Sequence, residues 1–277
     1  MNVRRLLLLV CLPALLAAQD LREIVRRSVA TDQKDAEIAR NYTYLQREVS
    51  TDLDNSNQPK KTEIRTFDVT LQDGSPYRRL VARNDQPLSP AEQKQEDEKL
   101  KLNIEQRRKE TPEQRKRRIA DFERKRQKQR EPLREVPDAF DFRLVGEESL
   151  NGGETYVIDA TPKPGYKPKS SEAFYLPKVK LRLWIEKKQY KWIKADVESL
   201  DTITIGGFMI RLAKGSRVGM EQTLVNNEVW LPKRITLSAS LRLLLVKGLH
   251  KSLDFSFSDY KKFQTDSRIV STEPIAK

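Results

Sequence analysis

Two adjacent runs of alternating residues constrain the fold of this chain more than any other feature. In residues 179–186 Val, Leu and Ile alternate with Lys, Arg, Trp and Glu, and the same period of two returns in residues 192–197. A period of two places one set of side chains on each face of a β-strand. Lys187, Lys188 and Gln189 lie between the runs, so the pattern predicts an antiparallel hairpin.

The register of this hairpin follows from the position of its turn. A turn centred on Lys188 predicts three cross-strand pairs: Leu183–Ile193, Leu181–Ala195 and Trp184–Trp192. One face of the hairpin is then aliphatic, and the other carries indole rings among charged groups.

Strand patterns continue on both sides of the hairpin. They cover residues 41–49, 63–71, 77–83, 140–158, 203–213, 217–225, 229–245 and 249–260. In the last run Leu253, Phe255 and Phe257 alternate with Asp254, Ser256 and Ser258, as in a half-buried antiparallel strand. The sequence therefore predicts a mainly β, α+β fold with one large antiparallel sheet.

Helical patterns occupy two regions. Residues 20–40 have apolar side chains at helical spacing, and they predict an N-terminal helix. Residues 89–135 contain 16 Lys/Arg and 11 Asp/Glu. Capping boxes starting at Ser89 and Thr111, each followed by proline, predict two consecutive helices there. These helices form either a basic arm or lid, or a plain charged insertion, and their sparse apolar residues predict a narrow contact stripe: Leu100, Ile104, Ile119 and Phe122.

The N-terminus has the pattern of a secretory signal. Arg4 and Arg5 precede an apolar run that ends at Ala17 and Ala18, which predicts a cleavable signal peptide over residues 1–18. A lipoprotein signal acylated at Cys11 is the alternative. We therefore expect a periplasmic or secreted protein with one domain over residues 19–263, carrying the charged helical insertion 89–135, and a flexible tail over 264–277.

Cysteine and histidine usage restricts the chemistry. Cys11 and His250 are the only residues of their types, so the mature chain has no disulfide, and we expect no metal site, no cofactor and no enzymatic activity. Neither a G-x-S-x-G nor a phosphate-binding glycine motif is present. The formal net charge of +13 favours an anionic membrane or envelope surface as a partner, and export makes nucleic acid an unexpected one.

Three short segments carry a resemblance to a known family. The hairpin 183–196, the strand beginning Val229-Trp230-Leu231-Pro232 and the ending Phe257-Ser258-Asp259-Tyr260 resemble motifs of the outer-membrane lipoprotein-sorting (lipoprotein carrier) superfamily. The resemblance covers residues 140–263 well and 20–85 loosely. It implies an unclosed half-barrel, a large curved antiparallel sheet capped by helices, that holds acyl chains in an apolar cavity. The charged segment 89–135 is longer and more polar than a typical lid of that family.

These observations predict a ligand cavity on the sheet. Its candidate lining residues are Leu181, Leu183, Trp184, Trp192, Ile193, Val197, Phe208, Ile210, Leu212 and Trp230. The aromatic members either line this cavity or pack into the core beneath the helices. Two functions remain open: a carrier for a lipid or lipoprotein acyl chain, and an envelope protein that docks on an anionic surface or a protein partner through its basic hairpin. The pattern does not define the ligand, the protein partner or the oligomeric state.

Overall fold

The computed structural model describes residues 12–54, 56–150, 152–205, 210–243 and 247–263. The helices are α1 (Leu12–Ile38), α2 (Pro90–Arg108) and α3 (Pro112–Ala139), with short 3-10 helices at Ala39–Asn41, Ser171–Ala173 and Leu176–Lys178. The strands of the first half are β1 (Tyr42–Leu53), β2 (Pro59–Gln72), β3 (Ser75–Arg83), β4 (Gln86–Pro87), β5 (Phe140–Leu150) and β6 (Gly153–Pro162). Those of the second half are β7 (Val179–Glu186), β8 (Lys191–Ser199), β9 (Ile203–Ile205), β10 (Ile210–Leu212), β11 (Arg217–Val225), β12 (Val229–Leu243) and β13 (Lys247–Lys262).

All strands belong to one antiparallel sheet. Its order is β4-β3-β2-β1-β13-β12-β11-β8-β7-β6-β5, with the short β9 and β10 pairing beside β12. Most neighbours follow each other along the chain, and the pairing of β1 with β13 joins the first strands to the last. β4 and β5 remain as separate edges, so the sheet stays open. The predicted fold class, a mainly β, α+β half-barrel with an N-terminal helix and an inserted helical hairpin, is confirmed.

Both predicted capping boxes form. The hydroxyls of Ser89 and Thr111 accept hydrogen bonds from the backbone N–H groups of Glu92 and Gln114. In return, the side chains of Glu92 and Gln114 accept hydrogen bonds from the backbone N–H groups of Ser89 and Thr111. These reciprocal bonds satisfy donors that helix starts otherwise leave open. The caps therefore explain why the chain begins a helix at each of these points despite its low apolar content.

α1 and the end of α3 lie on one face of the sheet, here called the inner face. α1 packs on β5, β8 and β12, the end of α3 packs on α1 and the 3-10 helices, and α2 lies near β3. Strands β5–β8 are largely covered on this face. Their core is buried against α1 and the end of α3 and includes Leu21, Val25, Val136, Ala139, Phe140, Ile158, Leu183 and Ile185.

The register of the β7–β8 hairpin differs from the predicted one. Leu183 pairs with Ala195, and a β-bulge follows: Trp184 pairs with Lys194, and Ile185 pairs with Trp192. Ile193 is the additional residue of the bulge. The expected pairs Leu183–Ile193, Leu181–Ala195 and Trp184–Trp192 are therefore all wrong. A bulge changes the face on which later residues lie, and it places Trp192 in the covered core and Ile193 on the outer face.

Two terminal predictions fall wholly or partly outside the described residues. The tail 264–277 lies outside them, as do residues 1–11 of the expected signal peptide. Among the described helices, none has the length and apolar content needed to cross a membrane.

Candidate ligand-binding face

The inner face of strands β12, β13, β2 and β3 carries apolar side chains that helices leave largely uncovered. Strand β1 adds Tyr44 to this set, beside the polar Gln46, Glu48 and Ser50. The apolar side chains are identified by alternation and by cross-strand pairing with one another. They include Tyr44, Phe67, Val69, Leu80, Ile235, Leu237, Leu253, Phe255 and Phe257. Most are only half-buried, in contrast to the closed core over β5–β8. We call this surface the open face.

The other side of strand β13 is polar. Ser252, Asp254 and Ser256 of β13 alternate with the apolar set of the open face, and Arg234 of β12 forms an ion pair with Asp254 at 2.5 Å. Successive residues of β13 therefore alternate between an apolar side and a polar side. This is the alternation that the sequence predicts for a half-buried strand.

An aromatic cluster occupies one end of the open face. The ring of Tyr44 meets Phe257 edge-on with centroids 5.7 Å apart, and it lies 5.5 Å from the ring of Tyr260. Burial raises the pKa of both Tyr44 and Tyr260. Their hydroxyls are therefore neutral at physiological pH, and the cluster presents uncharged, amphipathic surface.

A small charged group lies in the middle of this apolar surface. Glu48, whose side chain is 12% exposed, forms ion pairs with Arg78 and, at 3.5 Å, with Arg65. The guanidinium of Arg78 also stacks on Phe67, 4.1 Å from the ring centroid. Arg78 is thus held by a carboxylate and an aromatic ring at once, an arrangement that orients a guanidinium.

The first turns of α3 are fastened over the edge of the open face. Arg118 donates to the Ser75 hydroxyl at 2.6 Å and pairs with Glu110 at 2.7 Å. Ile119 contacts Gly74 so closely that a Cβ atom added to Gly74 would lie 2.9 Å from Cδ1 of Ile119. Gly74 has a φ of +81°, which L-residues with a side chain rarely adopt. A glycine at this position of the β2–β3 turn therefore allows α3 to pack closely against the turn.

The far end of α3 is anchored by a buried carboxylate. Glu135 accepts hydrogen bonds from the Tyr166 hydroxyl at 2.7 Å and from the backbone N–H groups of Lys169 and Ser170, each at 2.8 Å. It also accepts one from the Ser170 hydroxyl at 2.6 Å. Arg130 extends the anchor by pairing with Asp32 of α1. Both ends of α3 are therefore fixed, and the helix crosses between the open and the covered halves.

A groove of about 580 Å³ lies between α3 and β3. Its walls are formed by Ser75, Pro76, Arg78, Gln114, Arg117, Arg118, Asp121, Phe122 and Lys125. Arg78 belongs to both the groove and the open face, so the two are continuous. The groove has the volume of a small-ligand site, and its lining combines apolar walls with several cations.

The predicted cavity residues do not lie together. Leu181, Leu183, Trp192, Val197 and Leu212 belong to the covered core or pack against it. Trp184 and Ile193 form a separate cluster with Val157, against which Trp230 packs. Phe208 lies outside the described residues, and Ile210 is described only through its backbone pairing in β10. The predicted set is therefore distributed over a filled core and the outer face.

The predicted stripe of the helical hairpin is partly buried. Leu100, Ile104, Ile119 and Phe122 each have intermediate exposure. Ile119 contacts the β2–β3 turn and Phe122 lines the groove. Sequence reasoning did not select Tyr44, Phe67, Phe255 or Phe257 as site residues, although the alternation in β13 was visible and marks one side of the open face.

Groups with catalytic or metal-binding chemistry are dispersed in the described part of the chain. The Nδ1 atom of His250 forms a hydrogen bond with the Ser240 hydroxyl at 2.9 Å, near one end of the paired strands β12 and β13. Within the described ranges, no group of three or more His, Cys, Asp or Glu side chains is placed to hold a metal ion.

The chain is similar in fold to several solved structures. A putative outer membrane lipoprotein-sorting protein domain from Vibrio parahaemolyticus aligns at a TM-score of 0.36 with 11% identity, over 88% of this chain and 95% of that one. The LolA superfamily protein NE2245 from Nitrosomonas europaea aligns at 0.30 with 12% identity, over 84% and 93%.

A third similar structure contains a protein complex. The MucA/MucB complex of Pseudomonas aeruginosa aligns at a TM-score of 0.26 with 11% identity, over 88% of this chain and 99% of the matched chain. No family model matches the sequence, and no curated protein does. The identities of the three solved structures to this chain are 11–12%.

Proposed function

We propose that this chain is an exported, periplasmic binding or carrier protein that holds an acyl chain of a lipid or lipoprotein against the open face. The observation that carries the proposal is the contrast between the two halves of the inner face. α1 and the end of α3 fill the half over β5–β8, whereas the apolar side chains of β12, β13, β1 and β2 stay half-exposed. A contiguous apolar surface of this kind marks a binding site.

Simple energetics support an acyl ligand. Burying one methylene group contributes about 0.8 kcal/mol, so a chain of about ten methylenes in contact with the open face needs no catalytic or covalent help to bind. The groove between α3 and β3 adjoins the open face at Arg78 and extends it. The basic, short apolar N-terminus supports export, and we assign the protein no enzymatic activity.

The test uses a matched pair of variants in strand β13. Phe255→Gln with Phe257→Gln removes two rings from the open face. Ser256→Gln with Ser258→Gln makes the same new side chains on the opposite side of the same strand. Because only the first pair removes apolar contact, we expect it to lower affinity for a fluorescent C16 fatty acid at least about tenfold, and the second pair to leave it unchanged.

Native mass spectrometry of the gently purified mature protein complements this titration. An added mass that lipid extraction identifies as a lipid, present in the wild type and the serine variant and lost in the phenylalanine variant, is the expected result. If the wild type neither carries lipid nor takes up fatty acids and lipopeptides, the carrier function is wrong.

A second function, docking through the basic hairpin, is favoured by the tip between α2 and α3. Arg108, Lys109 and Lys116 are exposed there, and none of them pairs with a carboxylate within the described part of the chain. Surface cations of this kind bind anionic lipid with strong salt dependence. Changing these three residues to glutamine should abolish salt-sensitive sedimentation with phosphatidylglycerol vesicles. Sedimentation that the changes leave unaltered, or none in the wild type, rejects this function.

A further inference from the structure

The groove between α3 and β3 carries an excess of positive charge. Arg78, Arg117, Arg118 and Lys125 line it, together with one acid, Asp121. That acid already pairs with Arg124 at 2.6 Å, a residue that does not line the groove. The electrostatic environment of the groove therefore favours an anion.

Two of these cations are fixed by the protein and two are available. Arg118 is held by Glu110 at 2.7 Å, and Arg78 is held by Glu48. Arg117 and Lys125 are exposed, and in the described ranges no carboxylate lies within ion-pair distance of either. Residues eight apart lie on the same side of a helix, about two turns from each other. Arg117 and Lys125 therefore border the same groove at two points along α3.

The position of Arg78 connects this charge to the apolar surface. Its guanidinium stacks on Phe67 at 4.1 Å and also lines the groove. A ligand whose apolar chain lies along the open face therefore has its polar end beside Arg78, Arg117 and Lys125. Guanidinium groups match the oxygen geometry of phosphate particularly well.

From this arrangement we infer that the groove under α3 is the headgroup site, and that it selects acyl ligands with a phosphate headgroup. This inference rests on the proposed function and names the ligand class of the same site. The acyl chain binds on the open face, and the phosphate is bound by Arg117 and Lys125 with Arg78 at the junction.

The experiment compares two ligands with one acyl chain, palmitoyl-lysophosphatidate and monopalmitoylglycerol, below their aggregation concentrations. We expect the wild type to bind the phosphate ligand at least about tenfold more tightly, since two cations that line the groove contact its headgroup. Arg117→Gln with Lys125→Gln should remove this preference by lowering the affinity for the lysophosphatidate to about that for monopalmitoylglycerol. Lys94→Gln with Lys101→Gln, two exposed lysines of α2, makes the same change in net charge away from the groove and should preserve the preference.

Each other outcome overturns a defined part of this reasoning. Equal binding of the two ligands by the wild type rejects headgroup selection and leaves the carrier function standing. A preference that both double variants lose equally is an effect of net charge and rejects the site. Inorganic phosphate that binds as tightly as the lysophosphatidate shows a free-phosphate site. If neither acyl ligand binds, the proposed function itself fails.

Discussion

Replacing Glu135 by glutamine tests whether a single buried carboxylate holds α3 in place. Each carboxylate oxygen accepts two hydrogen bonds, one of them from a backbone N–H: Ser170 on Oε1 and Lys169 on Oε2. A backbone donor cannot turn away, and a glutamine has only one acceptor oxygen. In either orientation of the amide, one backbone N–H therefore faces an NH₂ group.

The expected cost follows from the bonds that are lost. A hydrogen bond to a charged acceptor contributes about 1.5–3 kcal/mol, and an unpaired buried donor adds a desolvation penalty. We therefore expect Glu135→Gln to lower the free energy of unfolding by about 3 kcal/mol. For a chain of this size that is roughly 6–12 °C in Tm, measured by differential scanning calorimetry at pH 7.

The pH dependence gives a second, independent check. Burial by itself raises the pKa of Glu135, but the hydrogen bonds from Ser170, Lys169 and Tyr166 outweigh it, and the net pKa is lowered. The stabilisation is therefore present above the unfolded pKa of about 4.3 and is lost as pH falls through the lower folded value. The difference in Tm between wild type and variant should shrink as the pH falls below about 5.

Glu131→Gln is the matched control one helical turn earlier. Glu131 makes a single exposed contact, with Arg134 at 3.5 Å, and such pairs contribute less than about 1 kcal/mol. If Glu135→Gln lowers Tm no more than this control, or if the difference between them persists unchanged at pH 3, the anchoring role of Glu135 is refuted.

Two further changes test the contacts of the other helices. Asp35→Asn should lower the free energy of unfolding by about 3–5 kcal/mol, because it leaves the ammonium of Lys191 buried without its charge partner; the side chain of Lys191 is 11% exposed and its ammonium lies 2.7 Å from Asp35. Adding Lys191→Met should recover most of this loss, as measured by urea unfolding. If the double variant recovers nothing, the pairing is contradicted. Gly74→Ala should lower it by about 1–3 kcal/mol, because of the positive φ and the contact with Ile119. Ile119→Ala in the same chain should relieve only the steric part, so full recovery in the double variant would contradict the backbone argument.

The sequence predicted the elements of this fold much better than their detailed pairing. Alternation identified most of the strands because many have one polar face, and the capping boxes at Ser89 and Thr111 identified the starts of α2 and α3 to the residue. The β7–β8 register was missed because the loop between Glu186 and Lys191 is not centred on Lys188, and because the bulge at Ile193 leaves no signal in a pattern of period two. Without the bulge at Ile193, the alternating pattern predicts that the indole of Trp192 faces outward.

The predicted cavity residues and the open face differ for a related reason. The hairpin 179–197 has the strongest aliphatic alternation in the chain, and that strength predicted a cavity there. Strong alternation also favours tight packing, and Leu183 and Ile185 lie buried under α1 and the end of α3. Which strands a helix covers depends on the path of the chain in three dimensions, which the period of a single strand does not contain.

The uncovered half of the sheet follows from the composition of the inserted hairpin. Apolar side chains of α1 and the last turns of α3 match the apolar face of β5–β8, and the two surfaces close on each other. Earlier in α3, Ile119 and Phe122 stand among charged residues, too few to cover the rings of β1, β2 and β13. An apolar face of a sheet without a helical partner must contact water or a ligand, and water is the costlier neighbour. The polarity that makes residues 89–135 a poor lid is therefore also what leaves the open face available for an acyl chain.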